Sequence, residues 1–354
     1  MSGVISTVEH VTPAWLTDVL SRAGYLPTGR VLSAAVTRAH DEQLHSISYF
    51  LAISYSRDAP STAPASVFLK LPRPQAPASW VTVAGEREVR LYQSVARVQG
   101  GLPVIPCYDA AYDSDRPGYH LLLADLSATH DQPTWHLEIA DQYITRTVDS
   151  LAAFHAYWWG QARLPAMGDL MSPVQRRAEI ARLGDAFPAF ADALGDHLDA
   201  QGQRVYERLL AALPTLLARD VDPRERTLLH GDAHFWNFLY PRDSRARDTY
   251  MLDWQTYHPG LGVHDLAYAI VLRYPHRTPA SERVLVGRYH EGLRAAGVAH
   301  YSWERCWEDY RRAAAEQLIV PLSWQATDGL FVGRALAAFR DLVCDDFILQ
   351  QRGG

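Results

Sequence analysis

The stretch from Leu228 to Trp254 constrains this chain more than any other part of it. It reads LLHGDAHFWNFLY, then a short polar loop, then MLDW. It places a carboxylate, Asp232, in a loop, an amide, Asn237, five residues later, and a second carboxylate, Asp253, at the end of an apolar run. A hard cation takes oxygen ligands, and Mg²⁺ usually takes only one or two protein carboxylates. An amide oxygen would complete such a site without adding negative charge.

The spacing of Asp232 and Asn237 is that of a catalytic loop for phosphoryl transfer. There the aspartate accepts the proton of the attacking hydroxyl, and the asparagine and a later aspartate hold magnesium against the phosphates. Two other interpretations remain open. His230, Asp232 and His234 alternate, so on a strand they would share one face and could bind a transition metal, as in a metallo-hydrolase. The stretch could also be only a polar turn between two strands.

We predict a β-hairpin here, in which LLHGD enters the loop, FWNFLY leaves it and TYMLDW is the partner strand. In that arrangement His230 braces the loop, and we assign His234 to the same structural role. Further on, Asp265 opens a helix in GVHDLAY, which is a usual place for a carboxylate that braces a loop.

Composition singles out two of these positions. The chain has 34 lysines and arginines, but only one lysine, Lys70, and only one asparagine, Asn237. Lysine is a compact point charge and arginine a wide planar fork, so a lysine against nucleotide phosphates is not easily replaced. Chance is the alternative explanation, and it is hard to maintain when both single residues fall where phosphoryl transfer needs them.

Other properties exclude several classes of protein. A length of 354 residues predicts two domains or lobes. A net charge of −6 without a basic block argues against nucleic acid and anionic membranes as partners. Three distant cysteines predict reduced thiols, and the sequence pattern leads us to expect neither a signal peptide nor a membrane-spanning run of about 18 apolar residues. We therefore expect a cytoplasmic protein. The sequence does not indicate the oligomeric state, so a monomer and a homodimer both stay open.

The N-terminal third predicts a sheet and one important helix. A helix capped by Thr12 precedes three strands, RVLSAAVTRA, SISYFLAISYS and ASVFLKL, the last of which ends near Lys70. In the following helix Glu88 is the expected ion-pair partner of Lys70, and Glu86 is the less favoured alternative. Either glutamate could instead be an ordinary exposed helix residue. The loop before the second strand has no glycine, so either Ser46 and nearby N–H groups cradle the phosphates or the loop covers them loosely.

The chain then predicts a strand pair, VIPCYDAAYD and PGYHLLLADLS, followed by a crossing into a second lobe. Backbone groups at Leu123, Ala124 and Leu126 could read a purine edge there. From Pro133 onward the sequence turns helical.

Taken together, these motifs resemble the aminoglycoside phosphotransferase and choline kinase-like family. HGDAHFWNF at 230–238 is similar to its HGD-x-H-x-x-N box, LDW at 252–254 to its metal-binding strand, and PGLGVHDLAY at 259–268 to its Gly…Asp-Leu-Ala segment. VFLK, EREVRLYQ and LLLADL resemble its nucleotide-lysine strand, its glutamate helix and its hinge, although Ala124 stands where the family usually has Glu. The likeness covers about residues 38 to 268 and leans toward the ecdysteroid-kinase-like and antibiotic-kinase branches. The loop without glycine departs from the pattern.

The resemblance implies an α+β fold of the bilobal protein-kinase type. An N-lobe with an antiparallel sheet and a helix would span residues 1–123, and a larger, mainly helical C-lobe residues 124–354. It also implies a Mg²⁺-dependent phosphotransferase with an alcohol acceptor that uses ATP or GTP. Asp232 would orient the substrate hydroxyl as the base, and Asn237 and Asp253 would bind magnesium. Lys70, held by Glu88, would bind the α- and β-phosphates.

The acceptor is expected to be a hydroxylated natural product, most of all an antibiotic such as an aminoglycoside or a nucleoside, modified for resistance or biosynthesis. Choline or a sugar, and a nucleotide-sensing pseudokinase, remain open alternatives. Residues that could stack on a ring or meet a cationic sugar, and that could equally be core or surface residues, are Trp303, Trp307, Trp324, Tyr310, Asp309, Glu316, Asp328, Asp345 and Asp346.

Overall fold

The computed structural model describes residues 3–41, 44–96, 101–134, 141–218 and 222–343. By their packing, the residues form two units: Met1–Gln132 with Leu239–Thr256, and Pro133–Phe238 with Tyr257–Gly354. The first unit therefore includes the later segment that carries Asp253. A division of the chain after Leu123, as expected from the sequence, stays a prediction.

A five-stranded antiparallel sheet forms the centre of the first unit, as predicted. Its strands are β1 (Val31–His40), β2 (Ser46–Tyr55), β3 (Ser66–Pro72), β4 (Cys107–Asp113) and β5 (Gly118–Ala124). Their order is β1-β2-β3-β5-β4, so β3 lies in the middle of the sheet. Lys70 is paired there with Ser48 on one side and Leu121 on the other, which fixes its position along the strand.

Alternation along the strands buries one face of this sheet. Leu51, Val67 and Leu69 pack with Leu16 and Leu20 of helix α1 (Pro13–Arg22) in one apolar core. The helix begins as predicted, because the hydroxyl of its N-cap residue, a threonine, accepts a hydrogen bond from the backbone N–H three residues on, 3.1 Å away.

A continuous helical run from Ala78 to Val95 follows the sheet's third strand. It consists of α2 (Ala78–Trp80), a π-helical turn (Val81–Gly85) and α3 (Glu86–Val95). A Cβ atom at Gly85 would overlap the ring of Tyr119 in β5, so the absence of a side chain lets the helix approach the sheet closely. π-helical turns often mark functional sites, and this one comes directly before the turn that carries Glu88.

The predicted hairpin around Asp232 is confirmed for one pairing, that of FWNFLY with TYMLDW, and is wrong for the entering strand LLHGD. The remaining strands are β6 (His130–Asp131), β7 (Thr227–Leu229), β8 (Phe238–Pro241), β9 (Tyr250–Met251) and β10 (His258–Gly260). The strand before Asp232, β7, pairs with β10, whereas β8 lies between β6 and β9. The two strands that flank the Asp232 loop thus belong to different sheets. Local turn chemistry cannot reveal this, since the partner of β7 lies beyond Trp254.

Helices make up most of the second unit. They are α4 (Asp141–Trp158), α5 (Leu164–Met167), α6 (Pro173–Leu194), α7 (Ala200–Ala218), α8 (Val263–Ala267), α9 (Pro279–Ala295), α10 (Trp303–Glu316), α11 (Ile319–Trp324) and α12 (Leu330–Leu342). A π-helical turn, Tyr268–Arg273, continues α8. The α+β class predicted from the sequence, a sheet with a helix followed by a mainly helical part, is confirmed.

Two smaller expectations can be compared with the structure. Cys107 and Cys306 are free thiols, and Cys344 lies outside the described residues. Within the part of the chain that the structure describes, no helix has the length and apolar character needed to cross a membrane.

Candidate active site

Lys70 lies at the centre of a buried ion-pair cluster in the first unit. Its Nζ atom is 2.8 and 3.0 Å from the two carboxylate oxygens of Glu88 and 2.9 Å from Oδ1 of Asp253. The side chains of Lys70 and Glu88 are only 10% and 3% exposed, whereas that of Asp253 is 32% exposed. Glu88, rather than Glu86, is therefore the partner of the lysine. Glu86 instead forms an exposed pair with Arg90 one turn along the helix.

The charges of this cluster depend on one another. Burial alone would lower the pKa of Lys70, but the carboxylates of Asp253 and Glu88 outweigh it and hold that pKa well above its usual value. Burial raises the pKa of Glu88, and the ammonium of Lys70 acts against that rise. Lys70 is thus a fixed positive charge at neutral pH.

Asp253 has an unusual backbone conformation. Its φ angle is +67°, and the only other residue besides glycine with a positive φ among the described residues is Gln325. Left-handed conformations cost energy for residues with a Cβ atom, although aspartate tolerates them better than most. Such strain is common at functional sites, where the surrounding structure holds the residue in place. Here the conformation directs a carboxylate toward Lys70.

In the second unit, Asp265 braces the loop that carries Asp232. Its oxygens accept hydrogen bonds from the backbone N–H groups of His230, at 2.6 Å, and Gly231, at 3.0 Å. Asp265 in turn lies 3.3 Å from Nε2 of His155. Burial alone would raise the pKa of Asp265, but hydrogen bonds and charge interactions with His155 and His230 lower it. A buried, ionised carboxylate thereby fixes the backbone on the N-terminal side of Asp232.

The carboxylate of Asp232 is held by two side chains. Oδ1 accepts a hydrogen bond from the hydroxyl of Tyr268 at 2.8 Å, and Oδ2 lies 3.2 Å from Nε2 of His234. Burial alone would raise the pKa of Asp232, but the hydrogen bonds from His234 and Tyr268 lower it to about 2. The side chain is nevertheless 37% exposed. It is therefore an ionised carboxylate that solvent or a ligand can reach.

Asn237 is oriented by the same loop. Its Nδ2 atom donates to the backbone oxygen of Asp232 at 2.9 Å and approaches Oδ2 at 3.3 Å. Only the amide nitrogen can donate to a carbonyl oxygen, so these contacts determine which way the amide faces. Its oxygen is then the atom directed away from Asp232. An amide oxygen at this position and a carboxylate at Asp253 are oxygen donors of the kind that Mg²⁺ prefers.

The arrangement does not form the alternative metal site on His230, Asp232 and His234. The three residues lie in a loop, not on a strand, so they do not share a strand face. The ring of His230 accepts a hydrogen bond from the backbone N–H of Asp232 at 3.2 Å. Among the described residues, no three or more His, Cys, Asp or Glu side chains are grouped to hold a metal ion.

The residues expected to contact the rest of a nucleotide all belong to the first unit. Ser46, the first residue of β2, and Leu123, near the end of β5, are buried. The N–H of Ala124 donates to the carbonyl of Pro106 at 2.8 Å, and the carbonyl of Leu126 accepts from the N–H three residues on at 3.0 Å. The segment after β5 thus has a fixed backbone. Its contact with a purine stays a prediction.

The residues of α10 that were predicted to bind the acceptor make contacts with other residues of the second unit. Trp303 and Trp307 stack on each other with ring centroids 5.7 Å apart, and the guanidinium of Arg283 lies over both rings. Asp309 is buried and accepts a hydrogen bond from Tyr301 at 3.1 Å. The contact with Arg283 holds α10 against α9, and the contact with Tyr301 gives Asp309 a partner of its own. Asp345 lies outside the described residues.

Sequence reasoning missed a cluster around Arg273. This buried arginine donates to the hydroxyl of Tyr268 at 2.6 Å and lies over the rings of Trp236, Tyr268, Trp324 and Phe331. Of these four rings, only Trp324 was a candidate for the acceptor site. An arginine at the end of the apolar run AYAIVLR was the available signal, since a buried charge needs partners.

Comparison with known families decides the class of this chain. The model of the phosphotransferase enzyme family matches residues 55–314, which is well over half of the sequence. The chain belongs to this family. No curated protein matches the sequence at a significant level.

The fold of this phosphotransferase is similar to that of one solved kinase structure, and two further structures are more distantly similar. The microcompartment-associated aminopropanol kinase superposes with a TM-score of 0.53 at 14% identity, covering 91% of this chain and 94% of that one. A choline/ethanolamine kinase family protein from Mesorhizobium loti gives a TM-score of 0.46 at 13% identity, covering 96% and 99%. The wild-type aminoglycoside 2'-phosphotransferase-IIIa gives 0.46 at 14% identity, covering 94% and 98%. The family and the phosphotransferase class expected from the sequence are confirmed.

Proposed function

We propose that this phosphotransferase transfers the γ-phosphoryl group of ATP or GTP, in the presence of Mg²⁺, to a hydroxyl group of a natural product. The observation that carries the proposal is the setting of Asp232. It is an ionised, partly exposed carboxylate, fixed by His234 and Tyr268 in a loop that Asp265 braces. A carboxylate in this state suits an incoming O–H donor.

The low pKa of Asp232 determines what it can contribute. A group with a pKa of about 2 is a weak base, so it does not remove the proton of a free hydroxyl at neutral pH. Phosphoryl transfer passes through a loose transition state in which the nucleophile needs little activation before the transfer. Asp232 therefore acts mainly by orienting the hydroxyl and takes up its proton late in the reaction.

Lys70 would bind the α- and β-phosphates of the nucleotide. Its charge is permanent, and Glu88 holds the ammonium in one position, so little side-chain freedom is lost on binding. Ser46 and the backbone of Leu123, Ala124 and Leu126 are proposed to complete the nucleotide contacts. These residues set where the phosphates lie, which is most of the catalytic task in this chemistry.

Asn237 and Asp253 are the residues that would hold magnesium. The amide of Asn237 is turned so that its oxygen faces away from Asp232, and Asp253 presents a partly exposed carboxylate. Magnesium, when bound, neutralises the charge that develops on the phosphate oxygens. The presence of Asp232, Asn237 and Asp253 together argues against a pseudokinase, which would have lost at least one of them.

The acceptor is proposed to be an antibiotic, such as an aminoglycoside or a nucleoside, with choline or a sugar as the alternative. A panel of such compounds can be tested with Mg²⁺ and either ATP or GTP by following the nucleoside diphosphate released. We expect release that depends on the acceptor, and its loss in Asp232→Asn. Asp196→Asn, an exposed position on another segment, is the matched control. Failure of both nucleotides to bind in the presence of Mg²⁺ would overturn the proposal.

A further inference from the structure

Arg273 is enclosed by aromatic rings close to the Asp232 loop. Its guanidinium carbon is 5.1 Å from the ring centre of Trp236, 5.0 Å from those of Tyr268 and Trp324, and 4.6 Å from that of Phe331. The residue is only 8% exposed. We call these four rings and the arginine the Arg273 cage. Cation–π contacts of this kind stabilise a desolvated guanidinium.

A chain of two hydrogen bonds leads from the cage to Asp232. An Nη atom of Arg273 donates to the hydroxyl of Tyr268 at 2.6 Å, and that hydroxyl donates to Oδ1 of Asp232 at 2.8 Å. The direction of both bonds is fixed by chemistry. A guanidinium has no acceptor atom, so the tyrosine oxygen must accept from it. The single hydroxyl proton is then directed to the carboxylate.

The opposite charges of Arg273 and Asp232 strengthen the two hydrogen bonds that join them through Tyr268. A hydrogen bond to an ionised group is shorter and stronger than one between neutral groups, and here the hydroxyl has a cation on one side and an anion on the other. Polarised chains of this kind reinforce each bond. The rings fix the guanidinium, the guanidinium fixes the hydroxyl, and the hydroxyl fixes one oxygen of Asp232.

We infer that Arg273 and Tyr268 are positioning residues that set the orientation of the Asp232 carboxylate. The contribution of this orientation to catalysis rests on the function proposed above. Arg273 reaches the carboxylate of Asp232 through the hydroxyl of Tyr268, whereas its contact with the ring of Trp236 in the same loop does not involve that hydroxyl. The connection through the hydroxyl separates the inference from a purely structural role, in which the guanidinium would do no more than fill the cage.

Guanidinium ion as a chemical probe distinguishes the two roles. The variant Arg273→Ala leaves a space of the size and shape of that ion. We expect hydrogen–deuterium exchange of residues 230–238 to become about tenfold faster in this variant and to return toward the wild-type rate in millimolar guanidinium chloride, well below denaturing concentrations. In Arg273→Ala combined with Tyr268→Phe, the same ion should restore much less, because the hydroxyl that connects it to Asp232 is missing and only the contact with Trp236 can form again.

Turnover gives a second measurement. Tyr268→Phe and Arg273→Ala should each lower kcat about tenfold, while the KM for the nucleotide stays within about twofold. The double variant should be no slower than the slower single variant, because both substitutions interrupt the same series of hydrogen bonds from Arg273 to Asp232. Losses that multiply, or guanidinium rescue of the double variant equal to that of the single one, would overturn the inference.

Arg163 supplies a matched control in the same unit. Its guanidinium also lies over two rings, Tyr157 and Trp158, and also donates to a tyrosine hydroxyl, that of Tyr157. Arg163→Ala should leave both the exchange of residues 230–238 and kcat unchanged. If Arg273→Ala does not fold, Arg273→Lys and Tyr268→Phe test the same series of hydrogen bonds. Both should speed hydrogen–deuterium exchange of residues 230–238.

The exchange measurement needs no catalytic activity, so it also separates the two proposals. Absence of turnover in the wild type with an intact exchange pattern would count against the proposed function alone. An unchanged loop in Tyr268→Phe would count against the positioning role alone.

Discussion

Nζ of Lys70 lies 2.9 Å from Oδ1 of Asp253, although 183 residues separate the two in sequence. The same ammonium is bound by both oxygens of Glu88. One cation therefore compensates a buried glutamate and the aspartate that we propose as a magnesium ligand. Loss of the ammonium would leave both carboxylates without this cation, so this lysine should be among the least replaceable residues of the chain.

Replacement of Lys70 by arginine should be severe even though the charge is kept. The planar guanidinium is wider than an ammonium, and the side chain it would replace is only 10% exposed. We expect Lys70→Arg to lower kcat/KM for the nucleotide about 100-fold, measured from release of the nucleoside diphosphate. The exposed Arg57→Lys is a control for the reverse exchange of side chains. Near-wild-type kcat/KM in Lys70→Arg would contradict the role assigned to this lysine.

Glu88 and Glu86 offer a sharp comparison, since both lie in the first turn of α3. Glu88→Gln removes a charge from the Lys70 cluster, and the ammonium then keeps Asp253 alone as its charged partner. We expect the KM for the nucleotide to rise about tenfold. Glu86→Gln removes only an exposed pair with Arg90 and should change KM less than twofold. Equal effects of the two substitutions on the KM for the nucleotide would indicate that the total charge of the helix, and not the ion pair of Glu88 with Lys70, sets nucleotide affinity.

Gly85 is predicted to tolerate no side chain. A methyl group there would overlap the ring of Tyr119, so the helix and β5 would have to separate. We expect Gly85→Ala to lower the free energy of unfolding by about 2 kcal/mol or more, as overpacking does. Gly184→Ala, in helix α6 with open space around the position, should raise it by about 0.5–1 kcal/mol. Chemical denaturation of both variants provides the measurement.

The pair of His264 and Glu316 should make stability depend on pH. Burial alone would lower the pKa of His264, but the charge of Glu316, 2.9 Å away, raises it to about 9, above the usual value for an unfolded chain. Because the pKa of His264 is higher in the folded protein than in the unfolded chain, where it is about 6.5, the protonated pair stabilises the folded state fully below pH 6.5. This stabilisation is lost as the pH rises through 9.

The side chain of His264 is 36% exposed and the ion pair is screened by solvent, so we expect it to contribute about 1 kcal/mol to the free energy of unfolding. The difference in unfolding free energy between the wild type and His264→Gln should be largest at about pH 6 and vanish by about pH 10. A difference that stays constant over this range would exclude the ion pair as its source.

Local patterns were sufficient to predict the sheet and the ion pair of the first unit. Alternation identified β2, and the strand lysine followed by a helical glutamate predicted the contact of Lys70 with Glu88. Each of these features arises from neighbouring residues or from one face of one element. The α+β class followed from their order along the chain.

Long-range pairing could not be predicted in the same way. The strand before Asp232 reads equally well as a partner for either of two later strands, and the choice depends on packing that no short motif contains. The Arg273 cage was missed for a similar reason. Its rings come from separate segments of the chain, and each looks like an ordinary core residue until Arg273 is seen among them.

Because Lys70 is buried within β3, cleavage of the chain at this residue can be used to measure local unfolding of the sheet. A protease that cleaves only after lysine has one target bond in this sequence, between Lys70 and Leu71. Both residues are buried and paired within the sheet. Cleavage requires the strand to leave the sheet, so the rate of a single cut measures how often that opening occurs. A ligand that binds across Lys70 should slow this cut in proportion to the fraction of protein bound, which gives an assay for ligands that needs neither turnover nor a label.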